Sequence, residues 1–499
     1  MSKVTCMILA AGQGTRMNSE RPKVLFDLLG KPVLVRLLES LVKGPQATFL
    51  IVVGKESQVL REKLGAALPK VKLAFAVQKE QRGTGHAVAA GLPSVARTSS
   101  QVLVVNGDLP LLTAGSVARI ADVHRREGAA VTIATSVLDD PSGYGRILRK
   151  SSGRILGIRE ERDCSPSERE IHQVNAGIYC FARSFLEANI VRLSSSNSQK
   201  EFYLTDLVEL ASMSTGLPVA EAEVPGEEIA GINTRGDMAS IEQILLGRVR
   251  ERHMLAGATI RLPHTVWIDE DVEIGRDVVI EPCAILRRGT SIGRDCTVGA
   301  GCILDNARLE DGARMEPYSV AVDSIVRAGA VVGPFARLRP GSDVGRNARI
   351  GNFVELKNTV IGEESKANHL SYLGDGVIGR GVNVGAGTIF CNYDGVGKHR
   401  TVLDDDVFIG SDSQMVAPVR IGKGSYVGSG STITHDVPPD SLALARARQV
   451  TKQGRAHVLK EFLTSRGKAA GEPASKDPEQ HELRKKRRRR RRRRKTETS

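Results

Sequence analysis

A run of small and charged residues opens the chain's first candidate for chemistry. The apolar stretch Val4 to Leu9 leads directly into Ala10, Ala11, Gly12, Gln13, Gly14, Thr15 and Arg16, and Pro22 and Lys23 follow. A glycine-rich turn after a buried strand lets backbone N–H groups approach phosphate oxygens, and Arg16 and Lys23 supply the fixed positive charge that a triphosphate needs. Gly-x-Gly alone would also suit a plain strand-to-helix turn, so the specificity lies in the whole string. It is not a Walker loop, because no Gly-Lys-Ser/Thr closes it, nor a dinucleotide fingerprint, because Arg16 stands where a third glycine belongs. Asn106, Gly107 and Asp108 end another apolar run. Asp108 therefore falls at the carboxyl end of a strand, where open α/β sheets bind ligands, and its hard oxygens suit magnesium.

A second group of residues lies far downstream. Arg339 and Lys357 are eighteen residues apart and His369 follows twelve later. With the period of six described below, eighteen residues make one full turn, so the two cations should stack on one ridge. That ridge is expected to hold no acidic neighbour and to form a phosphate site. His369 falls beside the ridge and off the inward apolar phase, where an imidazole could take the proton of an amine attacking a thioester. The rhythm is expected to break across Gly333 to Lys357 and Lys366 to Asp375, and an excursion from Thr388 to Thr401 carries Cys391, Asn392 and Tyr393.

These residues need scaffolds, and the sequence specifies two. From Ile268 onward an aliphatic residue returns every sixth position: Ile268, Ile274, Ile280, Leu286, Ile292, Val298, Leu304; then Val326 to Leu356; then Leu403 to Ile433. Neither an amphipathic helix nor a flat strand has that period, whereas a parallel β-helix built from six-residue sides does. Before it, β-branched runs (Val4 to Leu9, Thr48 to Val53, Val102 to Val105, Val131 to Thr135) alternate with amphipathic stretches (Val33 to Leu41, Glu56 to Leu64, Gly115 to Arg126). That alternation implies a mostly parallel sheet with helices on both faces. Met238, Ile241, Ile244, Leu245 and Val249 are helically spaced and predict a long helix. The expected organisation is an α/β domain over 1–235, a linker helix over 236–256, the β-helix over 257–463 and a disordered Lys/Arg-rich tail over 464–499.

Aromatics make up only 4% of the 499 residues while glycine numbers 51, as a glycine-cornered aliphatic solenoid requires. No apolar stretch is long enough to span a membrane, and Met1 to Ala11 lacks the features of a signal peptide. Seven scattered cysteines without a CxxC pair predict reduced thiols in a cytoplasm and no zinc site. The net charge of +14 is local: the unbroken run Arg484 to Lys495 holds twelve cations and leaves +2 for the remainder. Such a run can bind any polyanion at low salt, although no aromatic residue interleaves with it, and a solvated tail is the plainer expectation.

The Leu-Ala-Ala-Gly-x-Gly-Thr-Arg string with Pro22-Lys23, together with Gln78, Gly83, Thr84 and Asn106 to Asp108, resembles the sugar-nucleotidyltransferase family. Joined to the segments around Arg339, Lys357, His369 and Asn392, the chain from about Val4 to Arg446 is similar to the bifunctional GlmU family. That resemblance implies a Rossmann-like uridylyltransferase domain, a left-handed β-helix and a homotrimer whose acetyltransfer sites are shared between subunits. It implies that acetyl-CoA acetylates glucosamine 1-phosphate, and that UTP and Mg2+ then convert the product to UDP-N-acetylglucosamine for peptidoglycan and, where present, lipopolysaccharide.

By the same resemblance, Leu9, Ala10, Ala11, Gly12, Lys23, Gln78, Gly83, Thr84, Asn106 and Gly107 would bind UTP, with Arg16 and Lys23 acting on its phosphates. Gly145, Glu160 and Asn175 would hold the acetylated sugar, and Asp108 and Asn233 the metal. Arg339, Lys357, Tyr372 and Asn383 would bind glucosamine 1-phosphate, with His369 as general base. Asn392, Tyr393, Ala386, Ser411, Ser429 and Arg446 would meet acetyl-CoA. Asn106 stands where the family pattern has an aromatic, Ser429 where it has a small apolar residue, and Ala447-Arg448 where it has Val-Pro. Two alternatives remain at this point: a nucleotidyltransferase with a purely structural solenoid, and a non-catalytic assembly subunit that retains both folds.

Overall fold

The computed structural model describes residues 3–12, 14–44, 47–55, 57–214 and 218–471. Two compact units divide the chain, Met1–Ala443 and Leu444–Ser499.

The first unit opens with a sheet in the order Val219–Glu223, Val131–Val137, Gln173–Ala182, Ser99–Asn106, Lys3–Ala10, Ala47–Val53, Leu73–Val77. All neighbours in this order are parallel except at Gln173–Ala182, which runs antiparallel to both its neighbours and also to Arg146–Arg149 beside it. Small and polar residues, Asn175 to Gly177, interrupt the apolar pattern of this strand, which is why it does not stand out in the sequence. Alternation along the central strand serves two layers: Cys6 and Ile8 pack with helix Val33–Leu41, and Met7 with helix Thr84–Gly91. The helix expected over Glu56 to Leu64 spans Gln58–Ala67, with Glu56 itself outside the described residues. The one expected over Gly115 to Arg126 spans Ala114–Glu127, with the Thr113 side chain accepting from Ser116 N at its start.

Helix Arg235–Leu255 leaves this layer. It starts with a reciprocal cap in which Thr234 accepts from Asp237 N and Asp237 accepts from the N-cap N–H. Ile241, Leu245, Leu246 and Val249 are buried on its inner side, and they join Leu28, Leu29 and Leu111 to the first turns of the solenoid in one continuous core. Arg36, itself buried, spans the same junction and holds Glu270 at 2.7 Å.

The left-handed β-helix has three flat faces of eleven, ten and nine short parallel strands. On the second face Ile268, Leu286, Leu304, Ala321, Leu338, Leu356, Leu373, Phe390, Met415 and Ile433 stack inward, each buried. The hexad series lapses after Leu304 because the turn from Leu304 to Ala321 is one residue shorter than eighteen, which shifts phase without breaking the stack. Two expected breaks are therefore not breaks in the coil. Gly333 to Lys357 continues the ladders through Arg337–Leu338, Asp343–Val344, Arg349–Asn352 and Glu355–Lys357. Lys366 to Asp375 does so through Lys366–His369 and Tyr372–Gly374. The true excursion is shorter than expected, from 392 to 400, since Ile389–Cys391 and Thr401–Leu403 remain in register.

In the second unit a helix spans Arg455–Gly471. Residues 464–471, expected to be disordered, are helical. Thr464 and Ser465 continue the helix by donating their hydroxyls to Lys460 O and Phe462 O, both at 2.8 Å. The basic run Arg484 to Lys495 lies outside the described residues. Among the described residues no helix is long and apolar enough to cross a membrane, and the cysteines are unpaired.

Candidate active sites

The nucleotide cleft forms where two neighbouring parallel strands end together. Leu9 pairs with Asn106 in register, so the chain turns away from both strands at the same level. Gly107 N donates to Leu9 O at 2.9 Å, and a Cβ at Gly107 would stand 2.9 Å from that same oxygen. Only glycine permits this approach, and it delivers Asp108 to the mouth of the cleft. Gly14, at φ +64°, lies where a Cβ would crowd Lys23 Cβ at 2.9 Å, so the glycine lets the Lys23 stem fold across the loop.

Lys23 Nζ pairs with Asp108 Oδ2 and lies 3.3 Å from Asn233 Oδ1. Arg16 Nη2 donates to the same Asn233 oxygen at 2.9 Å. Asn233 is held by the linker helix, because its N–H donates to the capping carboxylate of Asp237 at 2.9 Å. Ile232 N donates to Asp108 O at 3.1 Å and ties the two oxygen donors together. A metal at this place must find convergent hard oxygens, and the residues fit: one ammonium touches Asp108 Oδ2 and Asn233 Oδ1 together, so a single cation can meet both.

The cleft encloses about 360 Å³ and is lined by Leu9, Ala11, Gly12, Lys23, Gln78, Gly83, Thr84, Asn106 and Asp108 from the sequence reading. Gln81, Ala87 and Glu201 also line it. Gln81, which donates to Ala11 O, lies three residues from Gln78 and was open to the same reasoning; Glu201 carries no motif. One wall is rigid: Gly83 has φ +103°, its Cβ would stand 2.7 Å from Phe202 O, and Gly85 N donates to that oxygen at 2.8 Å. Gln78 Nε2 reaches Gly83 O at 3.3 Å and His86 Nδ1 at 3.1 Å. Ala10 is buried behind the loop and contributes no wall.

Gly145, Glu160 and Asn175 form a contiguous chain next to Asn106. Asn175 N donates to Gly145 O at 2.8 Å, and a Cβ at Gly145 would lie 3.5 Å from Glu160 Oε2. Asn175 Oδ1 accepts from Gly177 N at 3.1 Å, and a Cβ at Gly177 would stand 2.6 Å from Asn106 Nδ2. Burial raises the Glu160 carboxyl above its ordinary value, partly offset by the hydroxyl of Thr205 at 3.0 Å.

On the solenoid, Arg339 and Lys357 do occupy equivalent places on successive turns, with Arg339 N donating to Leu356 O at 2.9 Å. The expected absence of acids is overturned. Arg339 Nη1 pairs with Glu355 at 2.9 Å, and Asp375 N donates to Lys357 O at 2.8 Å, placing that carboxylate next to the lysine. Burial disfavours the Asp375 carboxylate, yet the amides of Asn358 and Asn392, at 2.7 and 2.6 Å, together with Lys357, hold its pKa below the ordinary value. Asn392 is thereby fixed, and a Cβ at Gly374 would lie 2.6 Å from Tyr372 OH and 2.7 Å from Asn392 Nδ2, so both polar groups converge over that glycine. The excursion folds back through a Tyr393–Lys398 bridge and brings a third cation, Lys398, whose pKa the adjoining Lys357 ammonium lowers. Lys398 was missed in the sequence because only the fold-back places it there.

His369 ends a strand of the first face and is exposed. Its Nδ1 lies 2.8 Å from Asn352 Oδ1, its register partner one turn below. An amide oxygen only accepts, so Nδ1 is the donor in this contact, and in the neutral ring the lone pair is on Nε2. Ala386, Ser411 and Ser429 follow on the same corner: Gly387 N donates to Leu370 O, Asp412 N to Ala386 O and Gly430 N to Ser411 O, at 3.1, 2.7 and 2.9 Å. Asn383 is not brought to the Arg339–Lys357 column within one chain. It lies on the first face between Lys366 and Phe408, whereas those cations lie on the second. Tyr393 is exposed on the excursion, and Arg446 belongs to the second unit.

Comparison with known proteins bears on both halves. The nucleotidyl transferase family matches residues 5–219, and the bacterial transferase hexapeptide (six repeats) matches residues 270–320 and 400–435. "Bifunctional protein GlmU" of Pelobacter propionicus is 45% identical over 454 residues, which cover 91% of this chain and 98% of that protein. The protein of the same name from Sorangium cellulosum is 44% identical over 93% of this chain and 98% of its own length. That from Anaeromyxobacter sp. strain Fw109-5 is 46% identical over 94% and 96%.

Proposed function

Because the chain belongs to the GlmU family of bifunctional proteins, we propose that it makes UDP-N-acetylglucosamine in two steps at two separate sites. The observation that carries this reading is the presence, on one chain, of a cation-lined nucleotide cleft and an oriented imidazole beside a second cation cluster.

In the first step the amino group of glucosamine 1-phosphate attacks the thioester carbonyl of acetyl-CoA. His369 Nε2 takes the ammonium proton as the C–N bond forms, and coenzyme A leaves as its thiol when the C–S bond breaks and the proton is returned to sulfur. Asn352 holds the ring in the required tautomer. Arg339, Lys357 and Lys398 bind the sugar phosphate, while Tyr372 and Asn392 orient the sugar. Ala386, Ser411 and Ser429, which follow His369 on the same corner, contact coenzyme A, with Tyr393 as a further contact.

In the second step a phosphate oxygen of N-acetylglucosamine 1-phosphate attacks the α-phosphorus of UTP, and pyrophosphate leaves. Gln78, Gly83 and Thr84 bind uracil, and Gly145, Glu160 and Asn175 bind the acetylated sugar. Arg16 and Lys23 stabilise the charge that builds on the phosphates. Mg2+, held by Asp108 and Asn233, would neutralise phosphate oxygens when bound.

A homotrimer is part of this reading. Asn383 lies on a face away from the Arg339–Lys357 column, so a neighbouring copy can complete the amino-sugar site. An exposed apolar column, Tyr318, Phe335, Phe353 and Leu370, runs along the His369 corner with ring centroids 5.3 and 5.4 Å apart, as an edge packed on another copy would require. A cytoplasmic location is also part of it, since UTP and acetyl-CoA are cytoplasmic metabolites. The test is to assay the purified protein for release of coenzyme A and of pyrophosphate with glucosamine 1-phosphate, N-acetylglucosamine 1-phosphate and glucose 1-phosphate. Pyrophosphate release without any acetyl transfer would reduce the solenoid to a scaffold.

A further inference from the structure

The excursion from 392 to 400 delivers the cation that decides the charge of the ridge on the solenoid. Glu355 pairs with Arg339 and Asp375 lies beside Lys357, so two acids cancel the two cations of the column. Lys398 is the excess charge. It meets the Lys357 ammonium only because the excursion doubles back, and the contact of like charges lowers the Lys398 pKa. Two ammonium groups repel unless an anion sits between them, so something other than their own interaction must keep Lys398 in place.

Apolar burial does not supply that hold. Val396 at the tip is 95% exposed and Tyr393 61%, and a Cβ at Gly395, where φ is +100°, would meet nothing within 4 Å. One side chain does supply it. Asp394 Oδ1 accepts from Val396 N at 2.8 Å and from Gly397 N at 2.7 Å, and Oδ2 accepts from His399 Nε2 at 2.7 Å. The amides of Gly397 and Val396, and then His399, hold its carboxyl below the ordinary value. Gly397 and His399 are the two chain neighbours of Lys398, so both sides of the lysine are tied to one carboxylate. The root of the excursion is fixed separately, since His399 N donates to Asn392 O at 2.8 Å and buried Asn392 donates to Asp375 at 2.6 Å.

We propose that Asp394 is a positioning residue for the sugar phosphate: by clamping Gly397 and His399 it holds Lys398 against Lys357 and so forms the phosphate grip of the solenoid site. This role presupposes the acetyl-transfer reading given above. His399 serves as a strut and not as a second base, because a carboxylate only accepts and the Nε2–H is spent on it. Asp394 touches no reacting atom, and the His369 ring is held independently by Asn352. Loss of the Asp394 carboxylate therefore acts on binding of the phosphate and leaves the chemical step alone.

The test compares the full-length protein with Asp394→Ala, Lys398→Ala and the double variant, following coenzyme A release, trypsin cleavage after Lys398 and calorimetric binding of inorganic phosphate. Asp394→Ala should raise KM for glucosamine 1-phosphate about tenfold or more, the loss of one charge-assisted contact, while kcat and KM for acetyl-CoA stay within about threefold. It should also speed cleavage after Lys398, and the double variant should be no worse than Lys398→Ala, since both changes remove one device. A fall in kcat at unchanged KM, an unchanged KM in a variant that trypsin opens, or additive losses in the double variant would overturn the proposal. A wild-type protein that releases no coenzyme A would instead sink the acetyl-transfer reading. The clamp would then stand or fall on inorganic phosphate, whose affinity should drop about tenfold in Asp394→Ala, and equal affinity would refute it.

Discussion

His369 and Asp108 separate the two chemistries most cleanly, because each sits in one site and far from the other in sequence. Asn352 Oδ1 accepts from His369 Nδ1 at 2.8 Å, so in the proposed reaction the neutral ring offers Nε2 as its base. His369→Ala should therefore lower acetyl transfer by about 10² to 10⁴, the span for loss of a general base, while pyrophosphate release from supplied N-acetylglucosamine 1-phosphate persists. Coenzyme A release near the wild-type rate would refute that role. Asp108 shares Lys23 with Asn233, and removing its carboxylate takes away one of two convergent oxygens. Asp108→Ala should abolish magnesium-dependent pyrophosphate release and leave acetylation intact; a folded variant that lost both activities would contradict two independent sites.

At the scale of elements, buried histidines make the α/β layer and the linker helix sensitive to acid. His124 on helix Ala114–Glu127 is buried against the Thr132 hydroxyl at 3.0 Å, and burial pushes its pKa down to about 4. His253 on the linker helix is lowered likewise to about 4, by burial and then by Arg252. A histidine that must stay neutral when folded binds its proton more readily once the chain unfolds, so its contribution is complete above about 6.5 and fades as pH falls towards 4. Burial pushes Asp206 up to about 6, and its contribution runs the other way, declining as pH rises from its ordinary value. A comparison isolating one group is therefore required. His124→Gln should flatten the loss of stability between pH 7 and pH 4 by up to about 3 kcal/mol, measured as urea midpoints across that range. A variant with the wild-type pH slope would show that His124 is solvated or protonated in the fold.

For the whole molecule, the two sites are separate while the scaffold is not. Everything assigned to uridylyl transfer lies at or before Asn233 and everything assigned to acetyl transfer after Gly333, yet Ile241, Leu245 and Val249 sit in a core that continues into the solenoid. A fragment ending at Leu255 should keep uridylyl transfer and lose trimerisation, but with lowered stability, because it uncovers that helix face and strips Arg36 of Glu270. The complementary fragment from Gly236 should trimerise and acetylate. Sedimentation and the two product assays on each fragment check this, and a trimer formed by the N-terminal fragment alone would remove the solenoid from assembly. Truncation after Gly471 should leave both activities within about twofold at physiological salt, since exposed charge acts weakly at a distance there.

Local rules were enough to read much of this from the chain. The six-residue period marks the inward stack because every coil repeats the same steric demand, and the Gly12–Arg16 loop and Gly107 are legible because close backbone approach admits few residue types. Linker-helix spacing was equally clear, since one face must be apolar. Only the tertiary structure decided the rest. Glu355 pairs with Arg339 and Asp375 neighbours Lys357 because turns of seventeen or eighteen residues bring together positions that no fixed sequence interval identifies, and Lys398 joins them because the excursion folds back on itself. The same cause moved the start of the excursion to residue 392: Ile389–Cys391 keeps its ladder partners above and below, and pairing between coils, invisible in a single stretch of sequence, determines where a strand ends.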